Sequence, residues 1–175
     1  MSSAEIGAGP VVADAFRTVM SRFATGVTVV TCVQDGFDHA MTANAFASVS
    51  LDPALVLVCV ESDSRFHEAV LHAGAWNVSV LDESQRGRAS WFATRGRPLI
   101  GQFDTTPTRR SVETGALLLD DCLVTLECIT EAVHRAGDHD ILVGRVVGMH
   151  LARPEGRPLL YFASSYGIFG GPAER

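Results

Sequence analysis

At 175 residues, with 47% apolar and 19% charged side chains and a mean hydropathy of +0.19, the chain has the length of one domain with a sizeable core. Its net charge of −6 excludes a general nucleic-acid binder, which needs a basic footprint. All 14 cations are arginines, which excludes Schiff-base lysine chemistry and lysine-dependent phosphate loops.

Residues 1–9 are small and polar and read as a tail. Pro10 suits a helix start, and Val12, Phe16, Val19, Met20 and Phe23 recur at helical spacing to give one apolar face, with Gly26 as the stop. Val27–Val33 is β-branched and apolar, a strand expected to be buried on both sides. Asp35-Gly36 signals a tight turn that returns Phe37–Met41 antiparallel to it. The hairpin delivers Thr42–Ser50, a run of small and neutral polar residues read as a loop. Such a run lets backbone N–H groups and hydroxyls approach a planar polar ligand, or simply satisfies its own backbone.

Leu55–Val60 is an apolar strand. After it, Asp63 or Ser64 can cap a short helix carrying Phe66, Ala69 and Val70, which stops at Gly74. The free N–H groups of that helix start, with Arg65 beside them, suit a phosphate. Trp76–Val80 alternates like a half-buried strand, and Ser84 is placed to cap a second helix bearing Trp91 and Phe92. Residues 99–115, rich in Pro, Thr and Arg, read as a surface loop or lid.

The last third is strand-rich. Cys122–Ile129 alternates, and Gly137–Asp140 turns the chain. Ile141–Leu151 is a long strand that can bend at Gly144 and Gly148, and Pro158–Ala163 is the final strand. About seven turn-connected strands and three short helices indicate a mainly β, antiparallel barrel with flanking helices. No G-x-G-x-x-G follows a strand, so a Rossmann domain is disfavoured. Cys32, Cys59, Cys122 and Cys128 form no C-x-x-C pair and read as reduced core or near-core thiols of a cytosolic protein. The histidines lack metal-ligand spacing, and no apolar run is long enough for a membrane span.

The segment Met41-Thr-Ala-Asn-Ala-Phe-Ala-Ser-Val-Ser-Leu-Asp-Pro53 resembles the signature of the short-chain flavin reductases, the reductase components of two-component flavin monooxygenases. Phe23–Thr31 is similar to that family's opening segment, Ala136–His139 with Val143–Val146 to its nicotinamide-side segment, and Pro158–Tyr161 with Tyr166-Gly167 to its C-terminal strand. These run in family order over residues 15–170. The resemblance implies an FMN-binding split β-barrel of Greek-key type over residues 10–170, with residues 171–175 as a second tail. It also implies a homodimer with flavin near the subunit interface, and the histidine spacing already argues against a metal.

The resemblance places flavin contacts on Thr42, Ala43, Asn44, Ala45, Phe46, Ser48 and Val49, on Asp63, Ser64 and Arg65, and on Ser90 and Phe92. It places the nicotinamide side on His139 and on Tyr161, Phe162, Ala163 and Ser164. The implied activity is hydride transfer from NADH or NADPH to FMN or FAD, with reduced flavin passed to a separate monooxygenase. No acid, base or nucleophile of the protein is obligatory for that reaction. Two positions depart from the family pattern. Ala89 stands at the place of the helix serine, with Ser90 one residue on, and Ser164 stands where a glycine is usual. A flavin binder with altered or lost reductase activity, and a non-catalytic dimeric partner subunit, are the alternative expectations.

Overall fold

The computed structural model describes residues 11–170, so the two expected tails and Pro10 lie outside the described residues. Helix α1 (Ala13–Met20) closes at Ser21, whose N–H donates to Arg17 O at 2.8 Å. It does not run on to Gly26, because Thr25–Gly26 forms a short strand β1 instead. The expected stripe of Val12, Phe16, Val19, Met20 and Phe23 is 47–69% exposed, so nothing else in the described chain covers it.

Strands β2 (Thr28–Gln34) and β3 (Phe37–Ala43) form the anticipated hairpin. Asp35 and Gly36 both take positive φ, as this turn requires. Burial on both sides of β2 also holds: Val30 and Cys32 enter one core cluster, Val27 and Val29 the other. The polar loop expected over residues 42–50 is a correction. Only Asn44 and Ala45 lie between β3 and the next strand, β4 (Phe46–Leu51), which pairs with β5 (Ala54–Glu61). Ladder bonds to the apolar β5 override the weak strand preference of Ala and Ser.

Helix α2 (Arg65–Ala73) is capped by Ser64, whose Oγ accepts from His67 N, and ends at left-handed Gly74. Strand β6 (Ala75–Val80) is buried on both faces rather than half-buried. Trp76 and Val78 face the core, while Asn77 and Ser79 hydrogen-bond to residues 114–119. The second helical region begins with a 3₁₀ turn, Glu83–Gln85, and continues as α3 (Arg86–Ala93). Its cap is Asp82, in a reciprocal box with Gln85, and not Ser84. The stretch 99–115 is pinned, not a free lid: Gln102 is buried and donates to Asp38 O, and Thr108–Arg110 forms β7 against β8 (Leu117–Leu119).

Strands β9 (Val124–Ala136) and β10 (His139–Leu151) make a long hairpin, with Cys122 lying before β9. Register slips fall beside Gly144 and Gly148, as the sequence anticipates. A Cβ on Gly144 would collide with the Trp76 ring, so that bend needs glycine for close packing. Strand β11 (Leu159–Phe162) is not the last: a turn at Ala163 and Ser164, both at positive φ, returns the chain as β12 (Ser165–Ile168).

Every pairing is antiparallel. The main sheet runs β3-β2-β6-β9-β10-β5-β4, with β1-β11-β12 and β7-β8 as smaller sheets. β3 and β4 stand at opposite edges of the seven-stranded sheet, yet only Asn44 and Ala45 join them. A connection that short spans about 10 Å, which brings the end of β3 and the start of β4 together at a seam. Among the described residues no helix is long and apolar enough to cross a membrane.

Candidate functional site

The seam opens into a cavity of about 560 Å³. Met41–Ala45 forms one wall, Cys59 and Glu61 from β5 another, and Asp63–Phe66 at the start of α2 a third. The end of α3 and the following turn, Phe92–Arg97, close it, with His139 at its edge. Strand alternation explains the selection. Val56, Val58 and Val60 of β5 point into the core beneath α2, so Cys59 and Glu61 point the other way, into the cavity.

Of the expected residues, the cavity brings together Thr42, Ala43, Asn44, Ala45, Asp63, Ser64, Arg65, Phe92 and His139. Others lie elsewhere in the chain. Phe46 packs on the main core cluster, and Ser48 and Val49 follow it along β4, with Val49 at a register slip. Ser90 is on the exposed side of α3, while Ala89 is fully buried in the second core cluster. Tyr161, Phe162, Ala163 and Ser164 belong to the β11–β12 hairpin beside α1, where Ala163 N donates to Ser21 O at 2.7 Å.

Three guanidinium groups line the cavity, of which the sequence reading named only Arg65. Arg97 is 7% exposed; it donates to Gln102 Oε1 at 2.9 Å, to Phe92 O at 2.9 Å and to Ala40 O. Burial, helped by the nearby Arg65 charge, lowers its pKa to about 10, so it remains cationic at neutral pH. Arg65 donates to Arg97 O at 3.1 Å, which ties the start of α2 to the turn after α3. Arg95 pairs with Glu61 at 2.7 Å across the cavity rim. The recurring Arg-x-Arg at 95–97 was the available signal, but nothing local to it reports that one arginine is buried and the other paired.

His139 is the strand partner of Glu61, and its Nδ1 lies 2.8 Å from Asp138 Oδ1. The His139 bond and charge hold the fully exposed Asp138 carboxyl below the ordinary range. His39, on the same face of β3 as Met41, has its pKa lowered by burial and by the Arg65 charge, so it is neutral at pH 7. The cavity therefore has a cationic end at Arg65 and Arg97, a neutral polar wall at Thr42–Ala45, and an imidazole at its edge. That donor set fits a flavin phosphate near Arg65 and the Ser64-capped helix start, with ring edges along Thr42–Ala45.

The family model described as "Flavin reductase like domain" matches residues 20–170. The reductase subunit HsaB of a flavin-dependent monooxygenase from Rhodococcus jostii (strain RHA1) is 36% identical over 165 residues, covering 91% of this chain and 82% of that protein. An NADH-dependent FAD reductase from Streptomyces globisporus is 42% identical over 132 residues, covering 75% of this chain and 72% of its own length. Among solved structures, BorF, the flavin reductase component of a bacterial two-component tryptophan halogenase, superposes with a TM-score of 0.86 at 41% identity. That match covers 92% of this chain and all of BorF.

Proposed function

The chain belongs to the flavin reductase like domain family, and from that premise we propose that it is an NADH:flavin oxidoreductase handing reduced flavin to a separate monooxygenase. The observation that carries this reading is the seam cavity, where Arg65 and Ser64 at the start of α2 face a neutral wall and His139. NADH is taken over NADPH because the S. globisporus relative is named for it.

A bound FMN or FAD supplies the redox chemistry, taking up hydride from the nicotinamide. The protein's part is placement. Arg65 and the N–H groups at the start of α2 hold a phosphate; Ala43, Asn44 and Ala45 orient the ring edge. His139, at the cavity edge, would contact the nicotinamide, and the Arg95–Glu61 pair bounds the entrance.

The fold is read as a split β-barrel acting as a homodimer. The edge-to-edge seam supports the barrel. Support for the dimer comes from the uncovered α1 stripe, which lies beside exposed Phe162 and close to the β11–β12 turn. An apolar surface of that kind suits a second copy of the chain, which would cover the segment Tyr161–Ser164.

The test is NADH oxidation, followed at its near-ultraviolet absorbance with FMN, FAD or no flavin. Flavin-dependent turnover supports the reading, and its absence with all three overturns it. Sedimentation of wild type against Phe16→Glu tests the dimer; a wild-type monomer would overturn that part.

A further inference from the structure

We propose that His67 and Asp140, a pair outside the cavity, are positioning residues that hold the nicotinamide-side His139 in register with the phosphate end of the site. His67 Nε2 donates to Asp140 Oδ2 at 2.7 Å, with side chains only 16% and 10% exposed. Neither residue lines the cavity. Each is the near neighbour of one that does.

The geometry follows from strand alternation. On β10, His139 is opposite Glu61 and faces the cavity, while Asp140 is opposite Val60 and faces the core side beneath α2. Consecutive side chains of one strand thus point into the two compartments. His67 stands in the first turn of α2, two residues after Arg65, and its backbone N–H is already held by Ser64 Oγ. The His67–Asp140 bond therefore pins the first turn of the phosphate-binding helix to the strand start that carries His139. A second tie runs alongside it, from Ser62 N to Asp138 O at 2.9 Å.

A structural ion pair needs no such location, and this one has a free acceptor. Asp140 Oδ1 is buried without a partner among the described residues, so the carboxylate is held by His67 alone. Losing the imidazole would leave that carboxylate buried and unpaired. The first residues of β10 would then shift toward solvent, carrying His139 with them. His139 is the residue read as contacting the nicotinamide, so its displacement weakens NADH binding first.

The assignment rests on the reductase reading above. It is tested by a double-mutant cycle in KM for NADH at saturating FMN, with FMN affinity measured separately by fluorescence quenching. His67→Leu is expected to raise KM about threefold, more than it lowers kcat, and His67→Gln to recover most of the loss by donating to the same oxygen. In a His139→Ala background, His67→Leu should add little, because it acts through that residue.

Additive effects of the two changes, or an unchanged KM in a folded His67→Leu protein, would overturn the assignment. If His67→Leu fails to fold, the wild-type His67 ring resonances decide. They should move when NAD⁺ binds, although His67 lies outside the cavity, and unmoved resonances overturn the proposal. Failure of all flavin-dependent turnover in the wild type would instead strike at the reductase reading.

Discussion

Thr42 Oγ1 donates to the main-chain carbonyl of Ala89 at 2.7 Å, joining the cavity wall to helix α3 at one of the two places where the sequence leaves the family pattern. The hydroxyl that looks available to a ligand in the sequence is spent inside the protein. Thr42→Val should cost about 1 kcal/mol and lower Tm by a few degrees, with a smaller effect on flavin affinity than Asn44→Ala. Thermal melts and flavin titrations on the two variants check this. Ala89→Ser should destabilise by about 1–3 kcal/mol and leave flavin affinity unchanged, because position 89 faces the buried cluster with Phe92 and Leu159.

Arg65 is exposed at the cationic end of the cavity and, among the described residues, bonded only to the Arg97 carbonyl. Removing it should weaken FMN about ten- to a hundredfold, the value of a charged hydrogen bond of about 1.5–3 kcal/mol. Riboflavin, which lacks the phosphate, should lose far less. Equal losses for the two ligands would sink the phosphate assignment.

His139 stands at the cavity edge, oriented by Asp138. His139→Ala should raise KM for NADH about three- to tenfold, as the loss of one hydrogen bond predicts, with FMN affinity nearly intact. Parallel losses of both would show a folding role.

Cys59 is the one partly exposed thiol of the four and lies in the cavity wall; Cys32, Cys122 and Cys128 are buried. Burial raises the Cys59 pKa, so the thiol is neutral at pH 7 and its reaction with a maleimide should be slow there and accelerate as pH rises. Burial pushes Cys32 and Cys128 up to about 12, so they stay unreacted. Mass spectrometry should find a single adduct at Cys59, suppressed by FMN. Labelling unaffected by FMN would place the flavin away from this wall.

Asp82 caps the start of the second helical region, and burial acts to raise its pKa. Hydrogen bonds from Ser84 and the charges of Arg153 and Arg157 outweigh that and lower it below 3.8. A depressed carboxyl stabilises the fold above its unfolded pKa and loses that contribution as pH falls through the lower folded value. Wild type should therefore exceed Asp82→Asn in stability at pH 7, and the gap should shrink as pH drops below about 3.8. Denaturation midpoints across that range measure it.

Several features were legible because their causes are local. Asp35-Gly36 needs only two positive φ angles, Ser64 and Gly74 bracket a helix through a side-chain cap and a left-handed stop, and Gly144 and Gly148 mark bends, the first where the Trp76 ring leaves no room for a side chain. The strand at Phe46–Leu51 was hidden because its residues form a strand only through the ladder offered by β5. Strand β12 was missed for a related reason: its turn is made by Ala163 and Ser164 at positive φ, without the glycine or asparagine that normally announces one.

The cavity divides along the same line. Sequence alone determined the strand and helix periods, the capped helix start beside Arg65, and an ordered set of segments matching a flavin reductase pattern, since each depends on residues within a few positions of one another. Only the tertiary structure decided that Arg97 is buried, that Arg95 is held by Glu61, that Thr42 is committed to Ala89, and that Tyr161–Ser164 lie beside α1. Those outcomes depend on which strands become neighbours when the sheet forms. That is set by burial summed over the whole chain rather than by any one segment.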